Sequence, residues 1–249
     1  MRVINNILRL VVINKLVLLL LLLIFQTPLN LVLAETLRWG YLNFPPFTYQ
    51  DKHQVVQGSL ADIVKNVTSK ANISVRSLQY PNRRAYKMIE DGNINFGVMI
   101  KSQIVNNESH LISRFPVSKY MLNAYSIGSK MPITQLEQLQ GSSVILIAGY
   151  RYGNGREYIE NKNNNITIAS NVENHTRAFE SLVRGRADYM LGYAGPAKTA
   201  LISLTIDNLQ SSLVREIEVF FVLTKETKDA ENIMRRLEQS YIDIYGLPN

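Results

Sequence analysis

The spacing of apolar positions along residues 35–249 switches repeatedly between the helical and the strand period. Over 58–70 the sequence GSLADIVKNVTSK puts Leu60, Ile63, Val64 and Val67 on one helical face. Ser59 as N-cap and Asp62 three residues on predict a start resembling a capping box. A strand is predicted at 73–76, then a turn at Tyr80-Pro81-Asn82, a helix over 83–90 stopped by Asp91-Gly92, and a strand over 94–100. An extended segment at 121–127 and a short helix at 132–140 lead to a second series: an apolar strand over 143–148, a helix over 156–161, a strand at 166–169, a helix over 175–184 and a strand at 187–191. A strand at 218–224 and an amphipathic helix over 230–245 end the chain. Strands that alternate with helices predict an α/β fold with parallel pairing. The strand–helix unit runs twice, around 37–100 and 143–191, which predicts two lobes and a cleft. Ligands of open α/β sheets bind beyond the carboxyl ends of the strands. Those ends carry Asn43-Phe44, residues 80–84, 100–103 and 149–153, and Gly192-Tyr193.

The first 34 residues differ in kind. They hold Arg2, Arg9 and Lys15, no acidic residue, and an unbroken apolar run over 16–25, then Gln26, Thr27, Pro28 and Asn30. Val32-Leu33-Ala34 offers the small residues that a signal peptidase reads, so the expectation is a signal peptide over 1–34, cleavage after Ala34, and a periplasmic product. Ten apolar residues rise only about 15 Å as a helix, against a hydrocarbon core of about 30 Å. An uncleaved anchor that extends upstream through Val11 and Val12, across Asn14 and Lys15, is the other reading. The chain has no cysteine, which excludes a disulfide scaffold, a thiolate metal site and anchoring through a lipidated Cys. Of the net charge of +7, the leader supplies three, leaving +4 on residues 35–249. That is mildly basic without a polybasic tract, so nucleic acid is not an expected partner, and anionic or zwitterionic small ligands are favoured.

Catalytic signatures are sparse. His53, His110 and His175 lie in polar loop or helix-start contexts, without a partner at metal-ligand spacing, and no nucleophile elbow occurs. No metal, no cofactor and no enzymatic activity are expected, although a general acid–base pair among the scattered carboxylates stays open.

One stretch carries more information than the rest. In LRWGYLNFPPFTY, residues 37–49, a short strand ends at a Phe-Pro-Pro-Phe corner, where two fixed φ angles and two missing N–H donors stop the ladder. Phe44 and Phe47 are then held on a stiff edge. This block resembles the opening of the family 3 periplasmic solute-binding proteins, the amino-acid binders of ABC importers. Gly58, EDGNINFGVMIKS (90–102), SRFPVSKY (113–120) and GRADYMLGYAGPA (185–197) follow in the order of that family. The resemblance implies a two-lobe periplasmic-binding-protein fold of type II, with lobe 1 over 35–120 and 219–249 and lobe 2 over 121–218. It implies a monomer that closes on a small-molecule ligand, partnered by an ABC permease or by a membrane sensor, and hinged near 121–127 and 213–218. Some relatives of the lobe pair have lytic or dehydratase activity.

Two departures bear on the ligand. The family's Ser/Thr-x-x-Arg step, whose arginine clamps the α-carboxylate, corresponds here to KSQIVNNESH, with Asn106 and Asn107 and no arginine. The aspartate that receives the α-ammonium corresponds to Tyr193. Replacement candidates are Arg84, in YPNRRAYKM, and the turn GYRYGNG over 149–155. In that turn Tyr150 and Tyr152 are expected to stack on a flat or sugar-like ligand, while Arg151 and the amides up to Gly153 hold an anion. The alternatives are a solvated first-turn arginine and a glycine-rich surface turn.

Overall fold

The computed structural model describes residues 36–104 and 107–248, which belong to one compact unit. The expected signal peptide and Asn106 lie outside the described residues. In chain order the strands are β1 (Leu37–Leu42), β2 (Tyr49–Gln50), β3 (Val56–Gln57), β4 (Val75–Tyr80), β5 (Phe96–Ile100), β6 (His110–Ile112), β7 (Ser118–Ile127), β8 (Ser143–Ile147), β9 (Thr167–Val172), β10 (Tyr189–Tyr193) and β11 (Leu209–Thr224). The helices are α1 (Ser59–Lys70), α2 (Asn82–Glu90), α3 (Gly155–Glu160), α4 (His175–Val183), α5 (Ala194–Leu201) and α6 (Ala230–Tyr245). Among the described residues no helix is long and apolar enough to cross a membrane.

The main sheet runs β4-β1-β5-β11-β7-β10-β8-β9, with β6 against β11. At one end β1 pairs in parallel with β4 and β5, and at the other β8 pairs in parallel with β10 and β9. The two long strands β7 and β11 join these parallel triplets. They pair antiparallel with each other from Leu209↔Ile127 to Val219↔Ser118, and β11 then continues antiparallel to β5. Each triplet with its helices forms one lobe of an α/β fold, so the chain crosses twice between lobes through adjacent strands. A register shift between Leu213 and Arg215 interrupts the crossing ladder.

Residues of β5 and β10 are buried almost throughout, as expected for strands covered on both faces. In the first lobe Leu37, Trp39, Phe96 and Phe221 pack under Val64 and Val67 of α1 and Ile233 and Leu237 of α6. In the second, Ile145, Ile147 and Met190 pack under Phe179 and Leu182 of α4 and Ala197 of α5. A third cluster runs continuously from Phe44 and Leu60 through Tyr120 and Leu122 to Tyr152, Leu191 and Tyr193, and therefore belongs to both lobes. Helix α6 buries its apolar stripe together with Glu238, whose carboxylate accepts from the backbone N–H of Arg114 at 2.6 Å and from its Nε at 2.7 Å.

Several elements differ from the sequence expectation. The strand expected at 73–76 runs over Val75–Tyr80, and the helix expected at 132–140 is a single 3₁₀ turn, Leu136–Leu139. Gln140 is extended and Gly141 takes φ +77°, which ends that turn after four residues. Helix α5, which holds Gly195 and Pro196, is not among the elements expected from the sequence. A proline in the first turn loses no intrahelical hydrogen bond, since the first amides have none. His110 and His175, read as polar positions, are both buried.

Candidate functional site

The Phe-Pro-Pro-Phe corner is fastened to α1 by backbone bonds. The Ser59 amide donates to the Pro46 carbonyl at 3.2 Å, and those of Leu60 and Ala61 donate to the Phe47 carbonyl at 2.9 and 3.3 Å. These are the amides that a helix start leaves without intrahelical partners. The N-cap is Gly58 rather than Ser59, and it makes no side-chain capping bond. A Cβ on Gly58 would stand 2.4 Å from the Phe47 carbonyl oxygen and 2.6 Å from that of Pro46. The glycine therefore lets helix and corner approach. Thr48 completes the corner, its hydroxyl donating to the Leu42 carbonyl at 2.7 Å.

The corner carries its rings into the other lobe. Phe44 is 6% exposed and lies edge-on to Tyr120 at 5.2 Å, to Tyr150 at 5.6 Å and to Tyr193 at 5.4 Å between ring centroids. Phe47 stacks on Phe44 at 5.2 Å, and a Cβ on Gly195, at the start of α5, would come within 2.8 Å of its ring. The lobes are thus closed on one another around an aromatic cluster, with Phe44 at its centre.

Of the cavities that border Phe44, one of about 20 Å³ lies within the first lobe, and two are walled by both lobes. The inner one, about 40 Å³, is bordered by Phe44, Tyr86, Tyr120, Tyr150, Arg151 and Tyr193 among others. The outer one, about 420 Å³, has Asn43, Phe44, Gln50, Gln79, Tyr80 and Tyr150 in its wall. The second volume lies within the range of small-molecule sites. Among the described residues no hydrogen bond engages the hydroxyls of Tyr120, Tyr150 and Tyr193. Burial raises all of these phenols well above their ordinary value, and neighbouring tyrosines raise them further. Tyr86 is raised in the same way by burial, against the backbone of Ile100 and the charge of Arg151. They are therefore neutral hydrogen-bond donors at any physiological pH.

Of the residues anticipated from sequence, Phe44, Tyr150, Arg151 and Tyr193 are brought together. Tyr152 is not among them. It is fully buried inside lobe 2, where its hydroxyl accepts from the Ile147 N–H at 2.7 Å and donates to the Leu191 carbonyl at 3.4 Å. A ring committed to the core cannot stack on a ligand. Gly153 packs against Ile217 and borders an open groove along the crossing strands, outside both cavities. Of the amides expected to receive an anion, that of Tyr150 is spent within the turn, on the Ile147 carbonyl at 3.2 Å. Arg84 is exposed on the first turn of α2 and belongs to neither cavity wall.

Residues that sequence reasoning passed over are Tyr86, Tyr120, Gln50 and Gln79; Asn43 was placed at a strand end beside Phe44 without a role. Tyr86 follows Ala85 on the buried side of α2, a position that reads as ordinary core. Arg156 was likewise missed. Its guanidinium donates to the Tyr150 carbonyl at 2.6 Å and the Ile147 carbonyl at 2.8 Å, and lies over the Tyr152 ring, fixing the turn that presents Tyr150 and Arg151.

Beneath Tyr150, with ring centroids 5.8 Å apart, lies His175 at the start of α4. Its Nε2 is buried without a partner among the described residues, and burial lowers its pKa from 6.5 to about 4. Between those values the unfolded chain binds the proton and the folded one does not. Stability from this group is therefore complete above pH 6.5 and declines as pH falls toward 4. Urea unfolding is expected to show a loss of about 2–3 kcal/mol between pH 7.5 and 4.5 that His175→Gln does not share. Equal losses in both proteins would contradict the assignment.

No protein-family model matches the chain, and no curated protein matches it in sequence. Solved structures do resemble it. An ancestral arginine-binding protein bound to arginine superposes with a TM-score of 0.63 at 16% identity, over 84% of this chain and 92% of that one. A histidine kinase sensor domain with similarity to periplasmic binding proteins gives 0.65 at 13% identity, over 84% and 90%. A putative L-cystine ABC transporter protein from Listeria monocytogenes gives 0.63 at 17% identity, over 85% and 92%. The fold is that of the two-lobe periplasmic binding proteins.

Proposed function

We propose that this protein is a periplasmic solute-binding protein, not an enzyme, that captures a small polar ligand by closing its lobes and delivers it to an ABC importer. The lobes comprise 35–120 with 219–249, and 121–218, and they hinge where β7 and β11 cross. The observation that carries the reading is the shared aromatic cluster. Phe44 reaches from one lobe to Tyr150 and Tyr193 of the other, so a ligand beside it touches both lobes at once. A ligand shifts a conformational equilibrium only through such differential contacts. Phe44, Tyr150, Arg151 and Tyr193 are the proposed binding residues; Arg84 and Gly153 remain proposals that the walls of the two cavities between the lobes do not support.

The likeness to a sensor domain favours a second reading, in which the same closure is read by a membrane signalling partner. Thermal unfolding across amino acids, opines, peptides, organic acids, polyamines and sugars tests the shared core of both readings. A ligand at about 100 times its Kd adds about 2.7 kcal/mol, a rise of roughly 5–10 °C for a protein of this size. No rise with any class would argue against ligand capture.

A further inference from the structure

The chemistry of the two cavities narrows the ligand, on the premise that the cleft between the lobes is the binding site. The inner cavity presents donors. Tyr120 and Tyr193 are 8% and 4% exposed, and their hydroxyls, with that of Tyr150, have no hydrogen-bond partner among the described residues. These rings border the cavity and their hydroxyls keep accessible surface there, so they are open to acceptor atoms of a ligand. Arg151 in the same wall adds a guanidinium, the side chain best fitted to a carboxylate. The cavity, at about 40 Å³, has room for a group of that size.

The outer cavity differs. Asn43, Gln50 and Gln79 bring carboxamide side chains to the wall, that of Gln50 already donating to the Gln54 carbonyl at 3.3 Å, alongside the rings of Phe44, Tyr80 and Tyr150. Paired donors and acceptors beside aromatic faces suit a body rich in hydroxyl or amide groups. No carboxylate stands in either wall among the described residues. An ammonium group would therefore meet no counter-charge from the described residues of these two walls.

We propose that the cleft takes an organic acid whose body bears hydroxyl or amide groups and which carries no ammonium: a sugar acid or an N-acylated amino acid, in preference to a free amino acid. Its carboxylate faces Arg151 and the tyrosine hydroxyls, and its body faces the three carboxamides.

Isothermal titration of the purified protein with matched probes tests this. The probes are glucuronate against glucose, and N-acetylglutamine and N-acetylalanine against glutamine and alanine. An acid of the sugar or acylated series is expected to bind at least tenfold more tightly than its neutral or ammonium-bearing counterpart. Tyr193→Phe keeps the ring and removes one donor; Arg151→Gln removes the charge. Each is expected to weaken the acid by about ten- to a hundredfold, while circular dichroism and thermal unfolding show both variants folded. Free amino acids binding as tightly as their acylated forms would overturn the inference and leave ligand capture between the lobes intact. The same holds for glucose matching glucuronate, or for unchanged binding in both variants. No heat from any probe overturns the inference; if the broad thermal panel also shows no rise, capture between the lobes falls with it.

Discussion

Alanine in place of Gly58 is expected to destabilise the protein by about 3–5 kcal/mol. Gly58 has φ +114° and ψ 164°, a region in which residues with a Cβ are essentially absent and which costs about 1–3 kcal/mol to occupy. The added methyl meets backbone carbonyl atoms of Pro46 and Phe47 at 2.4–2.6 Å, and backbone cannot swing aside as a side chain can. Overpacking of this kind costs about 1–3 kcal/mol more. The damage is directed at the site, because the carbonyls that must move are those that satisfy the first amides of α1. Ser59→Ala is the informative control. No capping bond depends on that hydroxyl, so a change within about 0.5 kcal/mol is expected. Urea unfolding of the two variants checks the pair, and a Gly58→Ala loss no larger than that of Ser59→Ala would contradict the fastened corner.

Phe44→Ala is expected to cost about 3–4 kcal/mol and also to loosen the lobes. The ring is nearly fully buried and touches Phe47, Tyr120, Tyr150 and Tyr193, and truncating a buried phenylalanine costs about 3–5 kcal/mol. Two of those four partners belong to the opposite lobe, so part of the loss falls on closure rather than on either lobe's own core. Small-angle scattering is expected to show a larger radius of gyration for the variant, together with the lower unfolding midpoint. An unchanged radius with a loss below about 1 kcal/mol would mean that Phe44 does not join the lobes.

Much of the fold was legible because its elements carry strong local signals. Helix α6 has the expected bounds, 230–245, because its apolar residues recur every three or four positions. The apolar runs at 94–100 and 143–148 stand where fully buried parallel strands form. Failures came where tertiary contact overrides local pattern. The first half of β11, Leu209–Glu218, mixes polar and apolar residues because it is a crossing strand, held by its partner β7 more than by a buried face. Within the candidate site, the place of Phe44 was readable from the proline corner and that of Tyr193 from the strand end that carries Gly192-Tyr193. Tyr150 and Tyr152 look alike in sequence, two residues apart in one glycine-rich turn. Only the fold separates them, one ring in the cleft wall and the other bonded to Ile147 and Leu191. Asn43, Gln50 and Gln79 come from three separate segments, and no spacing joins them.

Hydrogen–deuterium exchange with a probe that binds, compared with the free protein, tests the central claim most directly. Ligand capture between the lobes predicts simultaneous protection of 42–50 and 79–86 in one lobe and of 148–153 and 192–195 in the other. Protection confined to a single lobe, or to a surface away from Phe44, would contradict it.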